Sequence, residues 1–385
     1  MKQPKIDKAY LQTILLELLN IPSPSGYTDA IVHYTCERLH DLGIRFELTR
    51  RGAIRADLTG RLSSPDRAIV SHVDTIGGMV KNLKDNGRLA MVPVGYWSSR
   101  FAEGGRVTVF AESGPIRGTV LPLKASGHTF NQEIDTQPVS WSNVEIRVDR
   151  AVETRDDLIR EGIAIGDFVA FDPNPEVDDS CGFINSRHLD CKAGVASMLA
   201  AAKAVLDIDC DLPLDCHLLF TISEEVGSGA SSVLHGDVAE MLAIDNATPA
   251  PGQASREFGV TIAMADSTGP FDYHFVRRLV ALCREYDLPY QRDVFRYYRT
   301  DAASAIEAGN DIRTALVCFG ADASHGYERT HMDALETLAR LITLYVQTPL
   351  VVERDRERMG PIEGFPTQPT NPPPGSAIHW PPKKK

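Results

Sequence analysis

No stretch of this 385-residue chain reaches the roughly 18 consecutive apolar residues that a bilayer-spanning helix needs, so a membrane span is not expected. The lysines within Met1 to Leu11 have no apolar run behind them, which argues against a secretory signal and for a cytoplasmic protein. Cysteine is scarce and unpatterned. The seven residues Cys36, Cys181, Cys191, Cys210, Cys216, Cys283 and Cys318 show no CxxC spacing, which suggests neither a disulfide framework nor a thiolate zinc knuckle. Basic charge is also short: the net charge is -12 and the only basic run is Lys383 to Lys385. An acidic surface repels phosphate backbones, so nucleic acid is not an expected partner. Part of that acidity can instead belong to a cation site, because carboxylates gathered around metals count as bare charges in a sequence sum. No internal repeat is present.

What remains is a globular composition, with 43% hydrophobic and 24% charged residues. The length exceeds what one core usually supports, which predicts a main domain plus an inserted or appended one. Leu11, Ile14, Leu15, Leu18 and Leu19 have helical spacing before the turn at Pro22 to Gly26, and a second helix is expected from about Thr28 to Leu42, stopped by Gly43. Short β-like runs follow at Arg45 to Arg50, Ala53 to Leu58 and Arg67 to His72. Between about Asp74 and Asp167 no convincing helix is visible, and β-rich stretches such as Arg106 to Ala111, Gly118 to Leu123 and Val144 to Val148 point to an inserted all-β domain.

Helix and strand patterns then alternate: helix Cys191 to Leu206, strands His217 to Thr221 and Met241 to Asp245, helix Tyr273 to Tyr286, strand Ile312 to Cys318, helix Met332 to Gln347. This favours an α/β sheet with helices on both faces. The expected division is a main α/β domain from residues 1–74 and 168–350, a β-rich insert at 75–167, and a proline-rich tail at 351–385. The tail has little to bury and reads as an extended or disordered extension, with polyproline recognition as the alternative.

Histidines and carboxylates recur where predicted strands end, the place where distant segments converge over a sheet's carboxyl edge. Ser-His-Val-Asp at Ser71 to Asp74 closes an apolar strand, so His72 and Asp74 share a side by the two-residue period. His72 could ligate a metal through one ring nitrogen while Asp74 fixes the other; the plainer reading is a capping Asp beside a surface His. Asp190 opens a small-residue helix, where a carboxylate either caps N–H groups or bridges metals. His188, two residues earlier, reads as a loop residue.

The most informative run is Leu218 to Gly229, an apolar strand that ends in Glu224 and Glu225 and then glycines. Two like charges there repel unless a cation or proton compensates. Adjacent side chains diverge, so one carboxylate can be a ligand and its neighbour a general base, the division that metal-activated hydrolysis requires. A solvated acidic turn is the alternative. Asp245 and His325 each follow a further strand; singly weak, they complete a set on one sheet edge.

The order and context of these residues resemble metallopeptidase family 42, the co-catalytic aminopeptidases that include glutamyl and deblocking enzymes and large tetrahedral assemblies. The resemblance spans roughly Leu11 to Thr348. It rests on His72-Val73-Asp74, Glu161-Gly162-Ile163 with Gly166-Asp167, Leu189-Asp190 with Gly194, Glu224-Glu225-Val226-Gly227, Ile244-Asp245, Thr300-Asp301-Ala302 and His325. It implies a mixed-sheet α/β/α metallopeptidase domain of the phosphorylase/hydrolase-like kind, with a small all-β insert. It further implies two divalent ions (zinc, cobalt or manganese) bridged by Asp190. His72 and Asp245 would complete one site, Glu225 and His325 the other.

Glu224 would be the general base, Asp74 would orient His72, and Asp301 would lie in a loop near the substrate. The implied reaction is hydrolysis of a short peptide or small amide by metal-activated water, in a homo-oligomer. The chain departs from the family at Cys191 and Lys192, where Asp or Asn and then Arg are usual, and at Gly320 to Ser324, where Pro-x-Arg-Tyr-x precedes the final His. It is similar to members associated with the osmoprotectant N-acetylglutaminylglutamine amide, which makes an amidohydrolase of a blocked dipeptide the rival reading. A metal-binding scaffold without catalysis is the reading from another class.

Overall fold

The computed structural model describes residues 1–369. The main body is built on a nine-stranded mixed sheet. Its centre consists of β3 (Asp66–His72), β12 (Cys216–Thr221), β13 (Val238–Ala247) and β17 (Arg313–Gly320), paired in parallel in the order β12, β3, β13, β17. Every residue of β3 and β12 is buried. That is why they read as unbroken apolar runs: a parallel strand covered on both faces has no polar side to alternate with. One edge is finished by the antiparallel strands β1 (Arg45–Leu48) and β2 (Ile54–Leu58), the other by β14 (Val260–Asp266) with β15 (Gly269–Pro270) and β16 (Tyr290–Val294).

Helix α5 (Leu189–Asp207) packs on β3 and β13 and is covered by α1 (Lys8–Leu19) and α8 (Met332–Val346). Alanines at 193, 196, 200, 201, 202 and 204, all buried, let it approach the sheet closely. Gly194 marks the tightest point, since a Cβ there would lie 2.6 Å from Cys191 Sγ and 2.8 Å from Ile244 Cγ2. Helix α6 (Tyr273–Glu285) contacts α8, β14 and β17, α2 (Asp29–Asp41) lies on β1 and β2, and α7 (Asp301–Glu307) on β13 and β17.

After Asp74 the chain leaves the sheet and forms a closed barrel of β4 (Gly77–Leu83), β5 (Leu89–Val94), β8 (Val144–Val148), β7 (Gly114–Pro122), β6 (Arg106–Ala111) and β9 (Phe168–Phe171), in that spatial order. Val80, Leu89, Val107, Val109, Val120, Ile146 and Val169 fill a core separate from that of the sheet. Two helices interrupt this stretch, against the expectation of none: the short α3 (Gly127–Phe130) and α4 (Arg155–Arg160). Six residues are too few to show a helical period, but α4 carries a capping box in which Thr154 and Asp157 satisfy each other's backbone N–H groups. The return to the main body passes through a three-stranded sheet of β10 (Glu176–Asp178), β11 (Phe183–Ser186) and β18 (Glu328–His331).

The proline-rich segment departs from the expectation of little burial in its first part. Val352 is buried, Val351 N–H donates to Glu240 at 3.2 Å, Asp355 pairs with Arg313, and Arg358 pairs with Asp237 at 2.7 Å. These contacts run along the ends where β13 and β17 begin, far from the edge where they finish. The expectation for residues 370–385 lies outside the described residues. Among the described residues no helix is long and apolar enough to cross a membrane.

Candidate metal centre

The carboxyl ends of the parallel strands bring His72, Asp190, Glu224, Glu225, Asp245 and His325 together. Asp190 lies at the middle of this cluster: its Oδ1 is 3.2 Å from His72 Nε2 and its Oδ2 is 3.3 Å from His325 Nε2. Ligand atoms of His72, Asp190, Cys191 and Asp245 lie within 4.8 Å of one another, and so do those of Asp190, Glu225 and His325. The two groups share Asp190 and nothing else.

Both histidines are fixed through their other ring nitrogen. His72 Nδ1–H donates to the Asp74 carbonyl at 2.9 Å, and His325 Nδ1–H to the Tyr96 carbonyl at 3.1 Å. A ring held this way turns Nε2 inward, so that loss of its proton would leave the lone pair a metal requires. Asp74 was expected to orient His72 through its side chain; its backbone does so, the carboxylate being 3.6 Å away. That carboxylate accepts the backbone N–H groups of Glu224 and Glu225 at 3.2 and 3.3 Å and the Ser25 hydroxyl at 2.5 Å, fixing the turn on which both glutamates sit. Their side chains differ in exposure, 13% for Glu224 and 4% for Glu225, so Glu224 is the more open to an incoming molecule.

The electrostatics show a centre short of positive charge. Burial pushes Glu225 up to about 7 and carries Asp245 and Glu224 well above the usual carboxylate range, with Asp190 adding to the effect on Asp245. Burial disfavours charge on His325, yet Glu225 and Asp190 raise it to about 10. Asp190 moves the opposite way: burial would raise it, but hydrogen bonds with His325 and His72 hold it below the carboxylate range. Glu225 Oε1 is buried without a hydrogen-bond partner. Carboxylates crowded at this density need cations or protons to compensate them, and imidazole with carboxylate oxygen is a donor set that zinc, cobalt and manganese accept. The residues therefore fit a divalent-metal site. Cys191 falls inside one group, but its Sγ is engaged with Ser71 Oγ at 3.2 Å and the Ile244 carbonyl at 3.5 Å, and burial drives its pKa well above the thiol range. It forms a neutral wall.

Asp301 was expected in a loop; the structure places it at the start of a helix. It opens α7 with 4% exposure, and its Oδ2 accepts the Thr221 hydroxyl at 2.6 Å, which ties α7 to the end of β12. Gly229 is required beside it, because a Cβ there would stand 1.8 Å from Asp301 Oδ1. His188 is buried, donates Nε2–H to the Phe171 carbonyl at 3.1 Å, and is pushed down to about 3 by burial and Lys192. It lines the cavity beside the centre without joining either group.

Three participants escaped sequence reasoning. Asn246 Nδ2 donates to Asp190 Oδ2 at 2.5 Å; only its place after Asp245 hinted at this. Glu328 accepts backbone N–H groups at the centre, and lay unmarked in a polar stretch after His325. The Tyr96 carbonyl has no side-chain signature at all. Ile76, Trp97 and Phe171 supply an apolar wall, the two aromatics packed edge to face at 5.0 Å.

The family model described as M42 glutamyl aminopeptidase matches residues 52–341. The chain belongs to the M42 family. It is thus a hydrolase of a peptidase family that uses divalent metals. The Bacillus subtilis (strain 168) protein named "Putative aminopeptidase YhfE" is 38% identical over 339 residues, covering 88% of this chain and 97% of that relative. The glutamyl aminopeptidase of Lactococcus lactis subsp. cremoris (strain MG1363) is 26% identical over 56% of this chain and 60% of its own length.

Among solved structures, aminopeptidase APDkam598 from the archaeon Desulfurococcus kamchatkensis superposes with a TM-score of 0.79 at 23% identity, covering 91% of this chain and 97% of that one. The Pyrococcus horikoshii TET1 peptidase gives 0.76 at 23%, covering 87% and 99%. These two likenesses establish the fold shared by this M42 chain, a mixed α/β sheet with a small closed antiparallel β domain.

Proposed function

We propose that the chain is a dinuclear-metal aminopeptidase that removes N-terminal residues from short peptides, with Glu224 as general base. The observation that carries this reading is the Asp190 carboxylate, which offers one oxygen to each of two ligand groups that share no other member. His72, Asp190 and Asp245 would hold one ion; Asp190, Glu225 and His325 would hold the other. When bound, two divalent ions lower the pKa of water and polarise the scissile carbonyl.

The chain's own residues do the rest. Glu224 takes a proton from the attacking water and returns it to the departing amine nitrogen, so that water is divided between the new acid and the new amine. Burial raises its carboxyl above the ordinary value, the direction that makes a carboxylate a better proton acceptor. The Asp74 carboxylate keeps the Glu224 backbone in place, and Trp97, Phe171 and Ile76 keep bulk water from one side. The names of the bacterial relatives support aminopeptidase activity. The TET1 peptidase is described as assembling into a tetrahedron or an octahedral shell, which supports a homo-oligomer here as well.

The test uses protein stripped by chelator and reloaded with zinc, cobalt or manganese, presented with aminoacyl anilides and with matched N-acetylated dipeptide amides. Metal-dependent cleavage of the free-amine substrates is expected. Glu224→Gln should lower kcat by about 10²- to 10⁴-fold while metal content stays that of the wild type. Cleavage confined to the blocked substrates would make the chain an amidohydrolase of blocked dipeptides. No cleavage with any metal would leave a binding scaffold.

A further inference from the structure

Glu328 is a charged side chain that the proposed mechanism leaves unused. It sits at the start of β18, opposite Ser186 in the ladder with β11, and is 1% exposed. Among the described residues no Lys, Arg or His pairs with it as an ion pair, although burial pushes its carboxyl up to about 8. Its two oxygens are spent on backbone. Oε1 accepts the N–H of His325 at 2.8 Å, and Oε2 accepts the N–H of Asp190 at 3.2 Å.

Those two residues come from different elements and belong to the same ligand group. His325 also has a left-handed backbone, φ 66°, which is unfavourable for a residue with a Cβ and persists only where neighbours hold it. The Asp74 carboxylate receives the N–H groups of Glu224 and Glu225 in the same manner. Each buried carboxylate thus fixes the main chain of two residues at the centre.

We propose that Glu328 is a positioning residue that sets the spacing of Asp190 and His325, and through it the affinity of the ion held by Asp190, Glu225 and His325. The inference rests on the dinuclear reading above. It makes a distinction that a general stabilising role would not: Glu328 holds two members of one group, Asp190 and His325, but only the shared Asp190 of the other, so the ion at His72 and Asp245 should be less affected.

The variant Glu328→Gln keeps the shape but places an amide N–H₂ where one of the two backbone N–H groups needs an acceptor. Removing an outer partner of this kind typically weakens metal binding by about 10- to 100-fold. In chelator competition with zinc, followed by metal content and thermal melting, the wild type should release two ions. Glu328→Gln should release one of them at about 10- to 100-fold lower chelator strength, with the other shifted much less. Glu328→Asp, which keeps both acceptors one methylene short, should recover part of that loss even if the glutamine variant folds poorly.

The control is Glu240→Gln, another buried glutamate, which pairs with Arg67 at 2.9 Å where the central strands begin. It should lower the melting temperature without changing either metal affinity. Wild-type affinities in Glu328→Gln and Glu328→Asp, or equal weakening of both ions, overturn the inference alone. Absence of divalent-ion binding by the wild type overturns it together with the reading beneath it.

Discussion

Asp190 is the residue on which both ligand groups depend, and its replacement should have an effect no other single change reproduces. Asp190→Asn keeps the volume and removes the charge and one acceptor, so both ions should be lost together. His325→Ala should remove only one. Metal analysis after gel filtration checks this: one ion retained by Asp190→Asn would mean that the carboxylate does not bridge. The convergence of these side chains was legible because all but Asp190, which opens α5, lie at or just beyond the end of an apolar strand, and the carboxyl ends of parallel strands meet on one edge. What the sequence could not carry is the support beneath them. The carbonyls of Asp74 and Tyr96 that orient the histidines belong to the main chain, which every residue possesses. Asp301 was expected in a loop, yet it opens α7, and one of its oxygens accepts the Thr221 hydroxyl while the other is buried without a hydrogen-bond partner.

At the scale of elements, α5 depends on small residues at its contact with the sheet. Gly194→Ala would gain up to about 1 kcal/mol in helix propensity. Its Cβ, however, would meet Cys191 Sγ, Ile244 Cγ2 and Ser71 Oγ at 2.9 Å or closer. Overpacking of that kind costs about 1–3 kcal/mol, so the clash outweighs the gain in propensity and the variant should unfold at a lower urea midpoint. An unchanged or higher midpoint would show that α5 can retreat from the sheet at no cost. The buried central strands were visible as apolar runs, and α6 and α8 as periodic helices. β16 was not, because Tyr-Gln-Arg-Asp-Val at a sheet edge lacks both alternation and an apolar run. α4 was missed for its length.

For the whole molecule, the crowding of acids at the centre makes stability depend on pH in a definite direction. Glu225 rises from 4.5 to about 7 and Glu328 from 4.5 to about 8, so the folded state binds more protons than the unfolded one across that interval. Their contribution is complete below about pH 4.5 and is lost as pH climbs through 7 and 8. His325, raised from 6.5 to about 10, acts in the same sense over a higher window. Chelator-treated protein should therefore melt at progressively lower temperature from pH 5.5 to 8.5. Added zinc should restore most at the alkaline end, where protons no longer compete for the ligands. A melting temperature that rises with pH without metal would contradict this assignment of the buried protons.

The separation of His72 from His325 along the chain has a consequence during synthesis. A ribosome making this protein from its amino end releases His72 early, then the whole barrel, and His325 only after 252 intervening residues. Until that last histidine emerges and β17 takes its place in the sheet, the second ligand group lacks a member. The nascent chain therefore cannot bring the second ligand group together until nearly all of the described fold has been translated.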